Sequence, residues 1–114
     1  MDRERKRMTL TEVLDRVPDS LAVAWVDTRT GELLESQCVS SEPHVSFGLE
    51  AMTSLLSAPD RAQRTVLLSA THVFIAQRPS KDTQVVLLVV CARAANIGIS
   101  IAAVRSVATP GELA

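Results

Sequence analysis

An uninterrupted apolar run at residues 85–90 constrains the fold of this 114-residue chain more than any other feature. The run follows Asp82 and Thr83 and continues through two small residues to Arg93. This is the length of a strand that is buried on both faces, and it is too short to span a membrane. We therefore expect residues 85–90 to form the centre of a sheet.

The segment at residues 94–108 follows this run and favours a helix. Ile97, Ile99 and Ile101 alternate as they would in a strand, but the flanking alanines favour the helix. Four apolar residues also follow one another at spacings of four, three and four, which places them on one stripe of a helix. These residues are Ile97, Ile101, Val104 and Ala108. We expect this final helix to lie back against the sheet.

Composition indicates one domain with a substantial core. The chain is 46% hydrophobic, so it can bury a core without disulfides or a structural metal. Its formal net charge of -1 lacks the positive excess of a nucleic-acid-binding protein. Cys38 and Cys91 stand in separate apolar stretches, which is typical of reduced core cysteines. We expect a cytoplasmic protein with no nucleic-acid partner, no membrane span and no cofactor.

The chain divides into three predicted segments. Residues 1–8 form a charged arm in which Arg and Lys outnumber Asp2 and Glu4, and we expect this arm to be disordered. It could contact an acidic partner or simply be solvated. Residues 9–108 form the domain, and residues 109–114 form a C-terminal tail.

Local signals predict the element order α-β-β-α-β-β-β-α. Thr9 and Glu12 have capping-box spacing before a short helix that Pro18 ends. A turn at Gly31 joins two strands, and Pro43 suits the first turn of a second helix. The predicted strands are 21–27, 32–39, 65–70, 73–78 and 83–91. Because short turns join antiparallel neighbours, we predict an α+β fold with a five-stranded antiparallel sheet covered by helices on both faces. Polar interruptions place the second strand at an edge of this sheet.

The predicted helix at 43–57 has more apolar surface than a helix on the outside of a sheet needs. Its first stripe is Val45, Leu49, Met52 and Leu56. Its second stripe is Phe47, Ala51 and Leu55. The surplus stripe predicts either a dimer or partner face, or a helix that is sunk deeply in its own core.

Residues that carry chemistry are scarce and scattered. No glycine-rich phosphate loop is present, and His44 and His72 lack the spacing of metal ligands with each other or with the cysteines. We expect His72 to lie at the surface or at a sheet edge. Arg64 and Arg78 flank the middle strands as partner contacts or as solvated strand ends. Apolar neighbours raise the pKa of a cysteine thiol, which makes Cys38 and Cys91 poor nucleophiles. From this and from the spacing of the histidines, we expect neither an enzyme nor a metal site.

Several stretches together carry a family resemblance. They are the strand LAVAWVD at 21–27 with its Gly31 turn, the amphipathic helix that ends near Leu56, the strands VLLS at 66–69 and HVFIAQR at 72–78, and the passage VVCARAANIG at 89–98. In pattern and order, these stretches resemble the roadblock family, which is named for a light chain of the dynein motor and is related to longin domains. The resemblance spans residues 9–108.

The resemblance implies a noncatalytic dimer. In roadblock proteins the helix between strands two and three packs against its twin, and the third strand pairs with its twin to continue the sheet. Mapped onto this chain, the dimer interface would comprise Val45, Leu49, Met52 and Leu56 or the neighbouring stripe of the same helix, with Val66 and Leu68 on the pairing strand. Family members bind and regulate Ras-like small GTPases or scaffold larger complexes, and bacterial examples include the partner of the gliding-motility polarity GTPase. The resemblance therefore implies a regulatory or scaffold module.

Two alternatives to a regulatory or scaffold module remain open, a small-molecule sensor and an enzyme. A profilin-like small-molecule sensor or adaptor shares the layout, but a sensor needs a polar cavity between the sheet and a helix. The small residues Ala94, Ala95, Ala102 and Ala103 indicate close packing instead. An enzyme would need a convergent set of titratable residues, which the sequence does not offer.

Overall fold

Five strands form one antiparallel sheet in the computed structural model, which describes residues 9–39, 64–79 and 84–108. The strands are β1 (Ser20–Asp27), β2 (Glu32–Cys38), β3 (Arg64–Leu68), β4 (His72–Gln77) and β5 (Val85–Ala92). Their order across the sheet is β2-β1-β5-β4-β3. The described helices are α1 (Leu10–Arg16) and α2 (Ile97–Ala108). The predicted α+β class, the central position of the 85–90 run and the edge position of the second strand are confirmed.

The short helix α1 begins at a capping box, as its sequence predicts. The Thr9 hydroxyl accepts a hydrogen bond from the Glu12 amide at 3.2 Å, and the Glu12 carboxylate accepts one from the Thr9 amide at 2.9 Å. Leu10 and Val13 are buried against the sheet. A helix of seven residues is too short to be stable alone, so the cap and this packing maintain it.

The turn between β1 and β2 also follows its sequence signal. The Asp27 carboxylate accepts a hydrogen bond from the Arg29 amide at 2.9 Å, which is the turn chemistry expected of aspartate. The Asp27 carbonyl accepts another from the Gly31 amide at 2.8 Å. Gly31 has a φ of 75°, which glycine adopts without steric cost. The predicted hairpin is confirmed.

Both described helices pack on the same face of the sheet, which we call the helical face. Val13 of α1 and Val104 of α2 lie in one buried cluster with side chains from β1, β4 and β5. The sheet contributes Val23, Trp25, Val73, Ile75, Leu87, Val89 and Cys91 to this cluster. Each fully buried valine, leucine or isoleucine side chain contributes roughly 1.5–3 kcal/mol to folding through its removal from water. This cluster is the main core of the described domain.

The alternating isoleucines of α2 are resolved in favour of the helix. Ile97 and Ile101 pack partly against the core, whereas Ile99 is exposed. The Asn96 side chain accepts a hydrogen bond from the Ile99 amide at 3.0 Å and so satisfies one free donor of the first turn. The helical period therefore places Ile99 away from the sheet. In a strand, Ile99 would share one face with Ile97 and Ile101.

The opposite face of the sheet is also buried at its centre. The residues there are Ala22, Ala24, Val26, Phe74, Ala76, Val86, Leu88 and Val90. Leu21 packs against this cluster and not beside Val23 and Trp25 as its alternation predicts, because the β1–β5 register shifts between Ser20 and Ala22. The predicted helix at 43–57, the arm at 1–8 and the tail at 109–114 lie outside the described residues. Helices on both faces therefore stay a prediction.

Candidate protein interaction edge

The two edges of the sheet, β2 and β3, differ in how they are protected. An edge strand presents unpaired backbone donors and acceptors, which can pair with a strand of another chain. Natural proteins block such pairing with charges, bulges and short or covered edges. The contrast between β2 and β3 therefore indicates which edge is available to a partner.

The edge at β2 carries several protective features. Its pairing with β1 is interrupted by a bulge at Leu34, which lies between Leu33 and Glu35 in the register. Glu32 and Glu35 are exposed on the strand. The Gln37 amide nitrogen donates to the Thr11 hydroxyl at 2.9 Å, which ties the strand to α1. This combination disfavours the addition of another strand.

The edge at β3 lacks a bulge and an acidic residue. It pairs with β4 in an unbroken register from Arg64 opposite Gln77 to Leu68 opposite Val73. Three consecutive apolar side chains remain open to solvent, with exposed fractions of 38% for Val66, 39% for Leu67 and 50% for Leu68. Because side chains alternate along a strand, Val66 and Leu68 lie on the helical face and Leu67 on the opposite face. This edge is apolar on both faces.

Polar side chains fix the position of β3 at its end nearest the turn. The Ser69 amide donates to the His72 carbonyl at 2.9 Å, and the Ser69 hydroxyl accepts from the His72 amide at 2.9 Å. The Arg93 guanidinium donates to the Ser69 carbonyl at 3.1 Å. At the other end, the Arg64 guanidinium donates to the Gln77 side-chain oxygen at 3.0 Å. The strand is therefore held in place before any partner binds.

Two polar residues beside this edge are more buried than the sequence predicts. His72 is buried, not at the surface, because it opens β4 between two neighbouring strands. Its Nδ1 lies 2.8 Å from the Thr71 hydroxyl. Arg78 is also buried at the end of β4, so it is not a solvated strand end, whereas Arg64 is exposed. Both side chains are therefore removed from solvent at the two ends of β4.

The two cysteines are free and occupy different environments. Cys91 is buried as predicted, and burial raises the pKa of its thiol to about 11. The nearby Ser100 hydroxyl opposes this rise in pKa, and the Asp19 carboxylate adds to it. Cys38 is exposed, contrary to the prediction of a core position, because it ends the edge strand β2. A thiol with the high pKa of Cys91 is a poor nucleophile at neutral pH.

The described part of the chain contains neither a candidate metal site nor a candidate membrane-spanning helix. Within residues 9–39, 64–79 and 84–108, no group of three or more His, Cys, Asp and Glu side chains is placed to hold a metal ion. In the same ranges no helix is long and apolar enough to cross a membrane. Of the four alanines whose small size predicts close packing, Ala95 is buried and Ala103 packs partly on the core, whereas Ala94 and Ala102 are exposed.

The structure places two of the six predicted interface residues. Val66 and Leu68 lie two positions apart on the helical face of β3. Leu67, which the sequence prediction did not name, is also exposed on this strand, and its place in the same apolar run was a usable signal. The remaining four lie outside the described residues, and their role stays a prediction. They are Val45, Leu49, Met52 and Leu56.

No family model matches the sequence, and no curated protein matches it. Solved structures do match its fold. A Roadblock/LC7 domain from Streptomyces avermitilis is 10% identical with a TM-score of 0.65, and the match covers 95% of this chain and 97% of that one. MglC from Myxococcus xanthus is 16% identical with a TM-score of 0.65, covering 87% and 89%. The gliding protein MglB from Thermus thermophilus is 13% identical with a TM-score of 0.66, covering 88% and 80%. The chain has a roadblock-like fold.

Proposed function

We propose that this protein is a noncatalytic, dimeric regulatory module that binds a Ras-like small GTPase. The observation that carries the proposal is the open edge of β3, which exposes Val66, Leu67 and Leu68 in a roadblock-like fold. An edge strand that is apolar on both faces and has no charge at its centre is a typical template for pairing between chains. A second copy of the same edge is its simplest partner.

The proposed dimer also uses the predicted helix at 43–57. One of its two apolar stripes would pack against the same stripe of a second copy, while β3 pairs with its twin. The stripe comprises Val45, Leu49, Met52 and Leu56. A two-fold interface of this kind is self-complementary, so a single apolar patch serves both copies. The apolar pattern of residues 43–57 supports the helix contact, and the exposed apolar edge of β3 supports the strand pairing.

The proposed GTPase partner rests on the roadblock resemblance and on the similarity to a gliding protein, MglB. The chain has no phosphate-binding loop of its own, so any effect on nucleotide hydrolysis would come from contacts with the GTPase. A partner that holds the switch loops in one conformation must bind the two nucleotide states with different affinities. This requirement gives the proposal a measurable signature.

The test is calorimetric titration of the protein with a purified Ras-like GTPase from the same genome. We expect the GTP-analogue and GDP forms to differ in Kd by about fivefold or more. Met52→Glu, which places a charge in the proposed helix interface, should weaken the tighter complex. Leu34→Glu, on the protected β2 edge, is the control and should leave the complex unchanged.

Equal affinity for both nucleotide forms, or no binding to any such GTPase, would overturn the regulatory proposal. Native mass spectrometry of the purified protein supplies the competing outcome. A monomer that retains a small molecule would support the profilin-like sensor instead.

A further inference from the structure

Arg64 and Arg93 lie at the two ends of β3, and each is anchored through its Nε atom. The Arg64 Nε donates to the Gln77 side-chain oxygen at 3.0 Å, and the Arg93 Nε donates to the Ser69 carbonyl at 3.1 Å. Both acceptors are neutral, so neither hydrogen bond cancels the charge of its guanidinium. Both arginines are exposed. The protein therefore presents one positive charge to solvent at each end of this strand.

The outer ends of these two guanidinium groups are available to a partner. Among the described residues, Arg64 and Arg93 make these hydrogen bonds and no ion pair, whereas Arg29 lies 3.7 Å from the Asp27 carboxylate. A hydrogen bond from Nε leaves the donors of both terminal nitrogens unused. A guanidinium that is already held in place also loses less conformational entropy when it binds a carboxylate. Arg64 and Arg93 are thus prepared for contact with an acidic group.

Charge is divided between the two halves of the described domain. Residues 64–79 and 84–108, which form β3, β4, β5 and α2, contain four arginines and no acidic residue, a charge of +4 with His72 neutral. Residues 9–39, which form α1, β1 and β2, contain two arginines and six acidic residues, a charge of -4. A field in this direction attracts an acidic surface towards β3 and repels it from β2.

The number and spacing of the two exposed charges at β3 fit a protein surface. Proteins that bind nucleic acid commonly contact about 6–10 phosphates, and polybasic membrane segments use about 4–8 Lys or Arg. At β3 the charges lie at the levels of Arg64 and Ser69, about 17 Å apart by the rise of five residues. Val66 and Leu68 are exposed between them. An apolar centre with a polar rim is the layout of a protein–protein contact.

We infer that the partner protein docks beside β3 and that its carboxylates bind Arg64 and Arg93. This inference rests on the proposed function, and it names the charge that the GTPase presents to this surface. In the proposed dimer, antiparallel pairing brings the Arg64 end of one β3 close to the Arg93 end of the other. Like charges on neighbouring strands repel each other, and acidic groups of the partner relieve this repulsion. The two arginines should therefore favour partner binding and not dimerisation.

Neutral variants test the inference with the same purified GTPase in its tighter-binding nucleotide form. Arg64→Gln/Arg93→Gln should lower the association rate constant by about tenfold at low salt, because part of the electrostatic attraction is lost. The difference from the wild type should shrink at high salt, which screens exposed charges. Arg16→Gln/Arg29→Gln is the matched control, since it also removes two exposed arginines but from the acidic half. It should change the rate constant by less than about twofold.

Lysine variants separate the charge of the two arginines from the support that they give to β3. Arg64→Lys/Arg93→Lys keeps both charges and loses both Nε hydrogen bonds, so its association rate constant should stay within about threefold of the wild type. The dimer dissociation constant is a second readout, and it should not rise in Arg64→Gln/Arg93→Gln. A lysine variant as slow as the glutamine variant, or a weaker dimer in the glutamine variant, would overturn the inference in favour of a structural role.

Failure of the inference and failure of the proposed function give different results. Nucleotide-dependent binding that Arg64→Gln/Arg93→Gln leaves unchanged would overturn the inference and leave the proposed function intact. No binding of the GTPase to the wild type would overturn both. A glutamine variant that binds the GTPase normally but no longer binds vesicles of phosphatidylcholine and phosphatidylserine, which the wild type binds, would assign the arginines to a membrane surface and overturn the inference.

Discussion

At the scale of single residues, Cys91 is the clearest case of an environment that controls chemistry. It lies on the central strand β5 and is fully buried beneath the helices. The loss of hydration disfavours its thiolate, which raises the pKa of the Cys91 thiol to about 11 from 9.0. Its position in an apolar run made burial predictable from sequence. The burial of His72 was not predictable, because a histidine at a strand end gives no sign of which strands lie beside it.

This raised pKa of Cys91 predicts a loss of stability at alkaline pH. Below pH 9 the thiol is neutral in the folded and unfolded states, so its contribution is constant. Between pH 9 and about 11 the unfolded thiol ionises while the folded thiol retains its proton. The free energy of unfolding should therefore fall across this window, by up to about 3 kcal/mol. Urea unfolding at a series of pH values measures the fall.

The two cysteines provide a matched pair of variants for this measurement. Cys38→Ser keeps the buried thiol and should retain the fall in stability. Cys91→Ala removes it and should lose this part of the pH dependence, whatever its effect on stability at neutral pH. An equally steep fall in Cys91→Ala and in the wild type would show that the buried thiol is not its cause.

At the scale of elements, the sequence predicted those whose signals are local. The capping box of Thr9 and Glu12, the Gly31 turn and the apolar run of β5 each act through neighbouring residues. Strand ends were less predictable because pairing partners determine them, as with β3, which ends at Leu68 where a strand to residue 70 was predicted. The exposure of Cys38 depends on its place at an edge, which is a property of the sheet.

The cap of α1 can be tested by removing one hydroxyl. Thr9→Ala deletes the acceptor of the Glu12 amide and should lower the free energy of unfolding by about 1 kcal/mol. Thr11→Ala is the control, because it removes only exposed hydrogen bonds to Gln37 and should cost less than about 0.5 kcal/mol. Urea denaturation of the three proteins measures both. Equal losses would contradict a special role for the cap.

At the scale of the whole molecule, the two edges of the sheet differ in how well they are protected against pairing with another chain. The β2 edge has a bulge, acidic residues and a tie to α1, whereas the β3 edge is regular and apolar. The element order and the resemblance predicted a third strand at the interface and named Val66 and Leu68. They did not reveal that Leu67 is exposed on the face opposite the helices. Its exposure depends on the position of β3 at the edge of the sheet, where β4 is its one neighbouring strand.

The most direct test of the central claim is the solution mass of the protein measured by light scattering. The wild type should be a dimer, and Leu68→Glu should be a folded monomer because it places a charge in the paired edge. Leu34→Glu provides a close match, since both leucines are 50% exposed on edge strands, and it should remain a dimer. A monomeric wild type, or a Leu68→Glu protein that dimerises as well as Leu34→Glu, would contradict the claim that β3 is the interaction edge.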